Sequence, residues 1–389
     1  LRVRTDKEFP QWFSIADNIW KTIINPVSES MITGEEELIM EDVIEKNEYY
    51  VSDNTSDNST PIRHLHNFIK SLLIEDVVGN SGKDISILDT SCGRGGDNQK
   101  YLRVNKKKKN IKFILGLDIS DNIKEAANRY YHESLKNKVP RGIFLQFDTS
   151  KNIKNVDGCM NETCDDMLNI IFGKKDSYDK KYDKFYKDYN SLGKKGFDVI
   201  SSQFSFHYYF KNEETLRGYL QNLKELVKPE GYFMGTCYDG MKVFKSFSIN
   251  DGKNIQGRDS KETLIYDIIK EYDISNFDYD KEDTTNMFGQ EINVYMSSIG
   301  QYITEYLVNF EFVIDIMKEY GFEPYYPDKA SNMKKPLGNF EEIIDKIDTL
   351  LDDSEKDVQK AYLYAKVVQQ DEKYRKLSGL NNWFIFKKV

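Results

Sequence analysis

The residues best placed to do chemistry lie in Ile87-Leu88-Asp89-Thr90-Ser91-Cys92-Gly93-Arg94-Gly95-Gly96-Asp97, an apolar run that ends in an acid and enters a glycine-rich turn. A turn of this kind lets backbone approach a nucleotide-like ligand closely. Its pattern is Gly-x-Gly-Gly-Asp, not Gly-x-Gly-x-x-Gly. A dinucleotide fingerprint spends its third glycine on helix packing and aims the helix N-terminus at a pyrophosphate. Asp97 in that place would repel phosphate but could hold the cationic methionine portion of S-adenosylmethionine. A second apolar run, Phe113 to Leu117, ends in Asp118, 22 residues after Gly96. That is close to the interval of about 20 residues at which an acid meets ribose hydroxyls. A third run, Ile143 to Phe147, ends in Asp148.

These acids need strands to carry them, and the pattern supplies strands alternating with helices. Ile62 to Val78 has Leu65, Phe68, Ile69, Leu72 and Leu73 on one helical face. It leads into a strand around 85–88. A helix after Asp97, the Phe113 strand, a helix over about 122–135 and the 143–147 strand follow. Alternation of this kind predicts an α/β, Rossmann-like fold: a mostly parallel sheet, helices on both faces, and ligands at the carboxyl ends of the strands. Asp89, Asp118 and Asp148 would all sit at such ends. The rhythm breaks over 150–195, a Lys, Asp and Tyr rich stretch read as a solvated helix or an insertion. It resumes with a strand from Phe197 to Phe204, a helix over 213–227 and a strand from Gly231 to Thr236, with Lys228-Pro229-Glu230-Gly231 as a stop between them. A second polar excursion covers about 248–290. Strands at 291–296 and 304–308, a helix through Tyr320, a charged helix over 354–374 and a closing strand, Trp383 to Phe386, complete the chain.

Composition sets the outer limits. The chain has 389 residues, 39% of them hydrophobic and 31% charged, with 26 Tyr and 23 Phe, enough apolar material for one large core. No apolar run approaches the about 18 residues needed to span a bilayer, so no membrane partner is expected. A net charge of −9 argues against wholesale electrostatic binding of nucleic acid, although RNA affinity rests on local patches. Cys92, Cys159, Cys164 and Cys237 show no metal-ligand spacing, so no metal is expected and the setting reads as reducing and intracellular. The chain opens at Leu1 without methionine and reads as part of a longer protein. Residues 51–61, rich in Ser, Thr, Asn and Asp and closed by Pro61, form the clearest linker.

Ser202-Gln203-Phe204-Ser205-Phe206-His207-Tyr208-Tyr209-Phe210 carries the most specific signal. It closely resembles the Gln-Phe-x-x-His-Tyr signature of messenger RNA cap guanine-N7 methyltransferases. Asn67 to Ile74 resembles that family's N-terminal helix, Cys92 to Asp97 its glycine loop, and Thr304-Glu305-Tyr306-Leu307-Val308 its Pro-Glu-Tyr-Leu-Val segment. The resemblance spans about 60–389 and implies a class I S-adenosylmethionine-dependent fold with a seven-stranded sheet. It implies methyl transfer from S-adenosylmethionine to N7 of the guanine cap of GpppN-RNA, with no residue acting as acid or base. Lys70 would pair with the methionine carboxylate, Asp97 would lie near its amino group, Asp118 would hold the ribose and Asp148 the adenine edge. Asp89, Gly93, Gly95 and Gln203 would complete the cofactor site. His207, Tyr208 and Glu305 would recognise the cap. The family places a tyrosine against the cap near its C-terminus, in a Tyr-x-x-Phe strand. Here Trp383 stands in that place and lacks a hydroxyl.

Arg4-Thr5-Asp6-Lys7 resembles the motif that closes the guanylyltransferase of capping enzymes, and the segment from Ile19 to Ile32 resembles the connector of fused capping enzymes of large DNA viruses. The resemblance therefore divides the chain into a guanylyltransferase OB-fold remnant and connector (1–50), a linker (51–61) and the methyltransferase domain (62–389). It implies upstream triphosphatase and guanylyltransferase domains in the same chain, a stimulatory subunit as a further partner, and the host-cytoplasmic viral factory and virion as locations. Lys-x-Asp-Gly is absent, so this piece is not expected to load GMP. The competing reading is a catalytically silent, methyltransferase-like RNA-binding or scaffold module of a capping complex. Lys106 to Lys109 read as a solvated loop.

Overall fold

The computed structural model describes residues 59–174, 179–249, 252–328, 331–349 and 356–389. The expectations for 1–50 and for most of the linker fall outside them. Helices and strands occur in the order α1 (Thr60–Asn80), β1 (Ile85–Asp89), α2 (Asn98–Lys108), β2 (Ile111–Asp118), α3 (Ile123–Lys136), β3 (Arg141–Gln146), α4 (Glu162–Ile171), α5 (Asp183–Tyr189), β4 (Phe197–Gln203), α6 (Glu213–Leu226) and β5 (Val227–Tyr238). There follow α7 (Gly240–Ile249), β6 (Asn254–Arg258), β7 (Leu264–Lys270), β8 (Glu291–Met296), β9 (Tyr302–Tyr306), α8 (Phe310–Glu319), β10 (Phe322–Pro324), β11 (Leu337–Asn339), α9 (Phe340–Ile344), α10 (Lys356–Gln370), α11 (Glu372–Gly379) and β12 (Asn381–Lys388).

The main sheet runs β10-β12-β5-β4-β1-β2-β3, with short β11 pairing β12 as an eighth strand beyond the expected seven. β3, β2, β1, β4 and β5 are mutually parallel, while β12 pairs antiparallel with β5, β10 and β11. Every residue of β1 is buried, the continuous apolar run expected of a strand covered on both faces. β1 lies between β2 and β4, so the chain leaves β1 toward one edge and returns to β4 on the other side. A crevice opens at that switch of direction, outside the carboxyl ends of the strands.

Four expectations are corrected here. The 248–290 stretch is not an excursion: it supplies β6 and β7, which with β8 and β9 form a separate antiparallel sheet ordered β6-β7-β8-β9. Polarity hid these strands: β6 alternates buried Ile255 and Gly257 with exposed Gln256 and Arg258, and β7 buries a charged residue, Asp267, within the run Ile265 to Ile268. Within 150–195, α4 buries Leu168, Ile170 and Ile171 in the core, so the segment is partly structural. Lys228-Pro229-Glu230-Gly231 does not separate helix from strand: β5 already begins at Val227, and the four residues form an irregularity inside it, with Glu230 at φ 65°. The charged C-terminal helix is broken at Asp371, whose side chain accepts from the Lys373 N–H and starts α11.

Candidate active site

The glycine turn hangs from the end of β1, and its conformation requires glycine where it bends. Gly93 and Gly95 have φ 51° and 73°. A Cβ on Gly95 would meet Ala126 at 3.1 Å, whereas one on Gly93 would point into open space beside the crevice. The Gly93 N–H donates to Asp118 Oδ2 at 2.8 Å, tying the turn to the end of β2. The other oxygen, Oδ1, accepts from the N–H and hydroxyl of Ser120. Asp148, two residues beyond β3, repeats that turn, its Oδ1 accepting from the N–H and hydroxyl of Ser150.

α1 brings Lys70 to Asp97, Nζ to Oδ1 2.8 Å, and α2 brings Lys100 to the same oxygen at 2.7 Å. Burial alone would raise the Asp97 carboxyl, but Lys100 and Lys70 together hold it well below the usual carboxylate range. Lys100 is itself brought down to about 8 by burial, against the pull of Asp97. Sequence reading missed Lys100, although its place three residues after Asp97 on the first turn of α2 was the available signal. Lys100 also donates to Asn67 Oδ1 at 2.9 Å, which links α2 to α1. Nearby, burial and Asp97 push the Asp89 carboxyl up to about 7, although Tyr101 donates to it. Gln203 ends β4 with its amide engaged on both sides: it donates to Ser201 Oγ and accepts from Thr236 Oγ1, each at 3.1 Å. Ile119, an apolar side chain 58% exposed right after Asp118, was also not singled out from sequence.

The residues from 203 on form a second cluster. After Gln203 the chain passes through Phe204, at φ 54°, into a 3₁₀ turn from Phe206 to Lys211. The turn presents His207 and Tyr208, whose ring centroids are 4.2 Å apart. β9, from the second sheet, lies against this turn and delivers Glu305 with Oε2 3.4 Å from His207 Nε2. His207 is buried and the Glu305 side chain is 13% exposed, and neither that oxygen nor the two ring nitrogens has a hydrogen-bond partner among the described residues. Burial pushes the Glu305 carboxyl up to about 8 and the His207 imidazole down to about 3, so the pair is uncharged at neutral pH. The Trp383 expectation fares differently. On β12 its indole lies flat over Gly338, where a Cβ would come within 2.0 Å of the ring, and its N–H donates to the Lys335 carbonyl. It is packed as a core residue, not displayed as a stacking platform.

Cys159 and Cys164 are joined in a disulfide, while Cys92 and Cys237 are buried thiols. No helix among the described residues is long and apolar enough to cross a membrane.

Residues 33–389 match the family model described as the mRNA (guanine-N(7))-methyltransferase domain. The chain belongs to this family. Among curated proteins it is 28% identical over 359 residues to a probable mRNA-capping enzyme of Acanthamoeba polyphaga mimivirus, covering 86% of this chain and 28% of that protein. It is 29% identical over 298 residues to an mRNA cap guanine-N(7) methyltransferase of Candida glabrata, covering 75% of this chain and 60% of the relative. The chain thus spans less than two thirds of the length of either relative. Among solved structures it resembles an S-adenosylmethionine-dependent methyltransferase from Clostridium acetobutylicum, with a TM-score of 0.41 and 12% identity over 96% of this chain and 99% of that one.

Proposed function

We propose that this domain methylates N7 of the guanine cap of GpppN-RNA, using S-adenosylmethionine. The observation that carries the reading is Glu305: a buried carboxyl with no cation beside it, delivered by one sheet to a histidine turn that leaves the strand end of the other. A guanine presents N1–H and N2–H donors side by side, which such a carboxyl can accept once ionised. Adenine offers no such pair, so the site would reject it at the cost of an unsatisfied buried acceptor.

The cofactor side fits the same reading. Lys70 and Asp97, closed on each other, present opposite charges to a zwitterion, whose carboxylate suits Lys70 and whose ammonium suits Asp97. Asp118 suits ribose hydroxyls and Asp148 the adenine edge, with Ile119 as an apolar face beside it. The open space at Gly93 leaves room for close approach. S-adenosylmethionine, when bound, supplies an electrophilic methyl group on a sulfonium. Guanine N7 has an available lone pair, so no side chain has to remove a proton. What the residues contribute is placement of the two reactants and exclusion of water. The mimivirus relative's name, together with Arg4-Thr5-Asp6-Lys7, supports reading the first fifty residues as the tail of an upstream guanylyltransferase.

The test is methyl transfer from labelled S-adenosylmethionine to GpppA-capped, ApppA-capped and uncapped RNA. Label on GpppA RNA alone is the expected result. Label on ApppA RNA, or on none of the three while the cofactor binds, would overturn the reading.

A further inference from the structure

Two buried tyrosines outside the clusters above join both halves of the crevice through hydroxyl groups. Tyr209 follows His207 and Tyr208 on the 3₁₀ turn, and its ring stacks on Tyr219 of α6 with centroids 3.7 Å apart and planes at 10°. The direction of each hydrogen bond can be worked out from its partners. The Thr149 hydroxyl donates to the Thr90 carbonyl at 3.1 Å, so at the 2.6 Å contact between Tyr209 Oη and Thr149 Oγ1 the tyrosine donates. Likewise the Thr90 hydroxyl donates to the Ser201 carbonyl at 3.0 Å, so Tyr219 donates to Thr90 Oγ1 at 2.9 Å. Burial pushes Tyr209 up to about 12 and Tyr219 well above its ordinary value, so both stay protonated donors at neutral pH.

The four groups belong to different parts of the site. Thr90 opens the glycine turn, Thr149 follows Asp148, Ser201 is two residues before Gln203, and Tyr209 shares its turn with His207. Thr90, Thr149, Ser201, Tyr209 and Tyr219 are all buried, and at the edge of the network half-buried Ser91 Oγ lies 3.4 Å from Tyr209 Oη. We infer that Tyr209 is a positioning residue that couples the two ligand sites: its hydroxyl fixes the Thr149 loop and the glycine turn relative to the His207–Tyr208 turn, so filling one site orders the other. This inference rests on the functional reading above for the identity of the ligands, and it reaches beyond it in making their binding interdependent.

The coupling is read from binding, not turnover, by titrating GpppA into the protein with and without saturating S-adenosylhomocysteine. In the unaltered protein GpppA should bind at least about five-fold more tightly with the second ligand present, the lower end of ordinary coupling between sites. Tyr209→Phe keeps the ring stack and removes only the donor, and should bring that ratio toward one. Thr149→Val should do the same and Thr149→Ser should not. The double variant should lose no more coupling than either single one, since both remove the same hydrogen bond. A ratio of one in the unaltered protein, or a full ratio in Tyr209→Phe, would overturn the coupling. So would a Tyr209→Phe protein whose only change is a lower melting temperature. Failure of the unaltered protein to methylate GpppA while both ligands bind would instead count against the functional reading and leave the coupling intact.

Discussion

The two sides of the crevice solve opposite electrostatic problems. On the cofactor side Asp97 is held by Lys70 and Lys100, and Asp118 accepts from Gly93 and Ser120, while Asp89 Oδ1 is a carboxylate oxygen there without a hydrogen-bond partner among the described residues. On the histidine side, Glu305 Oε2 and both His207 ring nitrogens are buried atoms without hydrogen-bond partners among the described residues, and burial holds the two groups uncharged. A satisfied cluster is built before its ligand arrives, whereas an unsatisfied one gains its missing donors only from a ligand. On the function proposed above, the first side would serve tight, preformed binding and the second discrimination, because a wrong base leaves a buried group unpaired.

The largest effect should come from breaking the satisfied side. Asp97→Asn leaves two lysines facing one another with no counter-charge, and uncompensated buried charge costs about 3–5 kcal/mol. Calorimetric titration should show S-adenosylmethionine affinity reduced by at least about 100-fold. Lys100→Met, which removes one of the two cations, should cost less, and an equal loss in both would mean that the cluster acts as a single unit. On the other side, Glu305→Gln replaces a carboxylate with two accepting oxygens by a group with one, and presents an amide donor toward N1–H and N2–H. The preference for GpppA over ApppA RNA should fall by about 10- to 100-fold, from about 1–3 kcal/mol per unsatisfied group, with cofactor affinity unchanged. Retained preference would move discrimination elsewhere.

The same pair predicts a pH effect on stability. Glu305 titrates at about 8 in the folded protein against an ordinary 4.5, so between these values the folded state holds a proton that the unfolded state has lost. Stability therefore falls as pH rises through that window and levels off above it. His207 works the other way, being about 3 when folded against an ordinary 6.5, so below 6.5 it makes stability rise with pH. From about 6.5 to 8 only Glu305 of the pair contributes. Chemical denaturation should show Glu305→Gln more stable than the unaltered protein at pH 8, by a margin that shrinks toward pH 6.5. A constant margin would mean that Glu305 is already ionised in the fold.

How much of this was legible in the sequence follows from how local each signal is. The strand ends at Asp89 and Asp118, the glycine turn and the α1 helix could be read because each rests on periodicity or on residues adjacent in the chain, whereas β3 stops at Gln146, two residues short of Asp148. Family resemblance placed Lys70 and Asp97 at two ends of one ligand, but their contact with each other was not legible, since 27 residues separate the partners. Lys100 escaped because a lysine on a helix surface usually faces water, and only tertiary packing buries this one. The second sheet escaped because β6 and β7 sit among acidic and polar residues that read as loop, and the other partner of β7, β8, begins more than twenty residues further on. Tyr209 was overshadowed by its neighbour Tyr208: alternate residues of an aromatic run look alike in one dimension, and only the fold shows which one turns inward.

Trp383 offers the smallest effect and the sharpest contrast between resemblance and packing. Resemblance puts a cap-contacting tyrosine at its place, yet the indole here is enclosed between β11 and β12 with its N–H on the Lys335 carbonyl. If packing decides, Trp383→Phe loses buried area and one hydrogen bond, lowering stability by about 1–3 kcal/mol. The KM for GpppA RNA should then stay within about two-fold. Gly338→Ala should destabilise by a comparable amount through the opposite error, since its added Cβ would press into the same ring and packed interiors resist extra volume. A KM raised ten-fold in Trp383→Phe at unchanged stability would place this side chain with Glu305 on the discriminating side, which the geometry of Gly338 and Lys335 argues against.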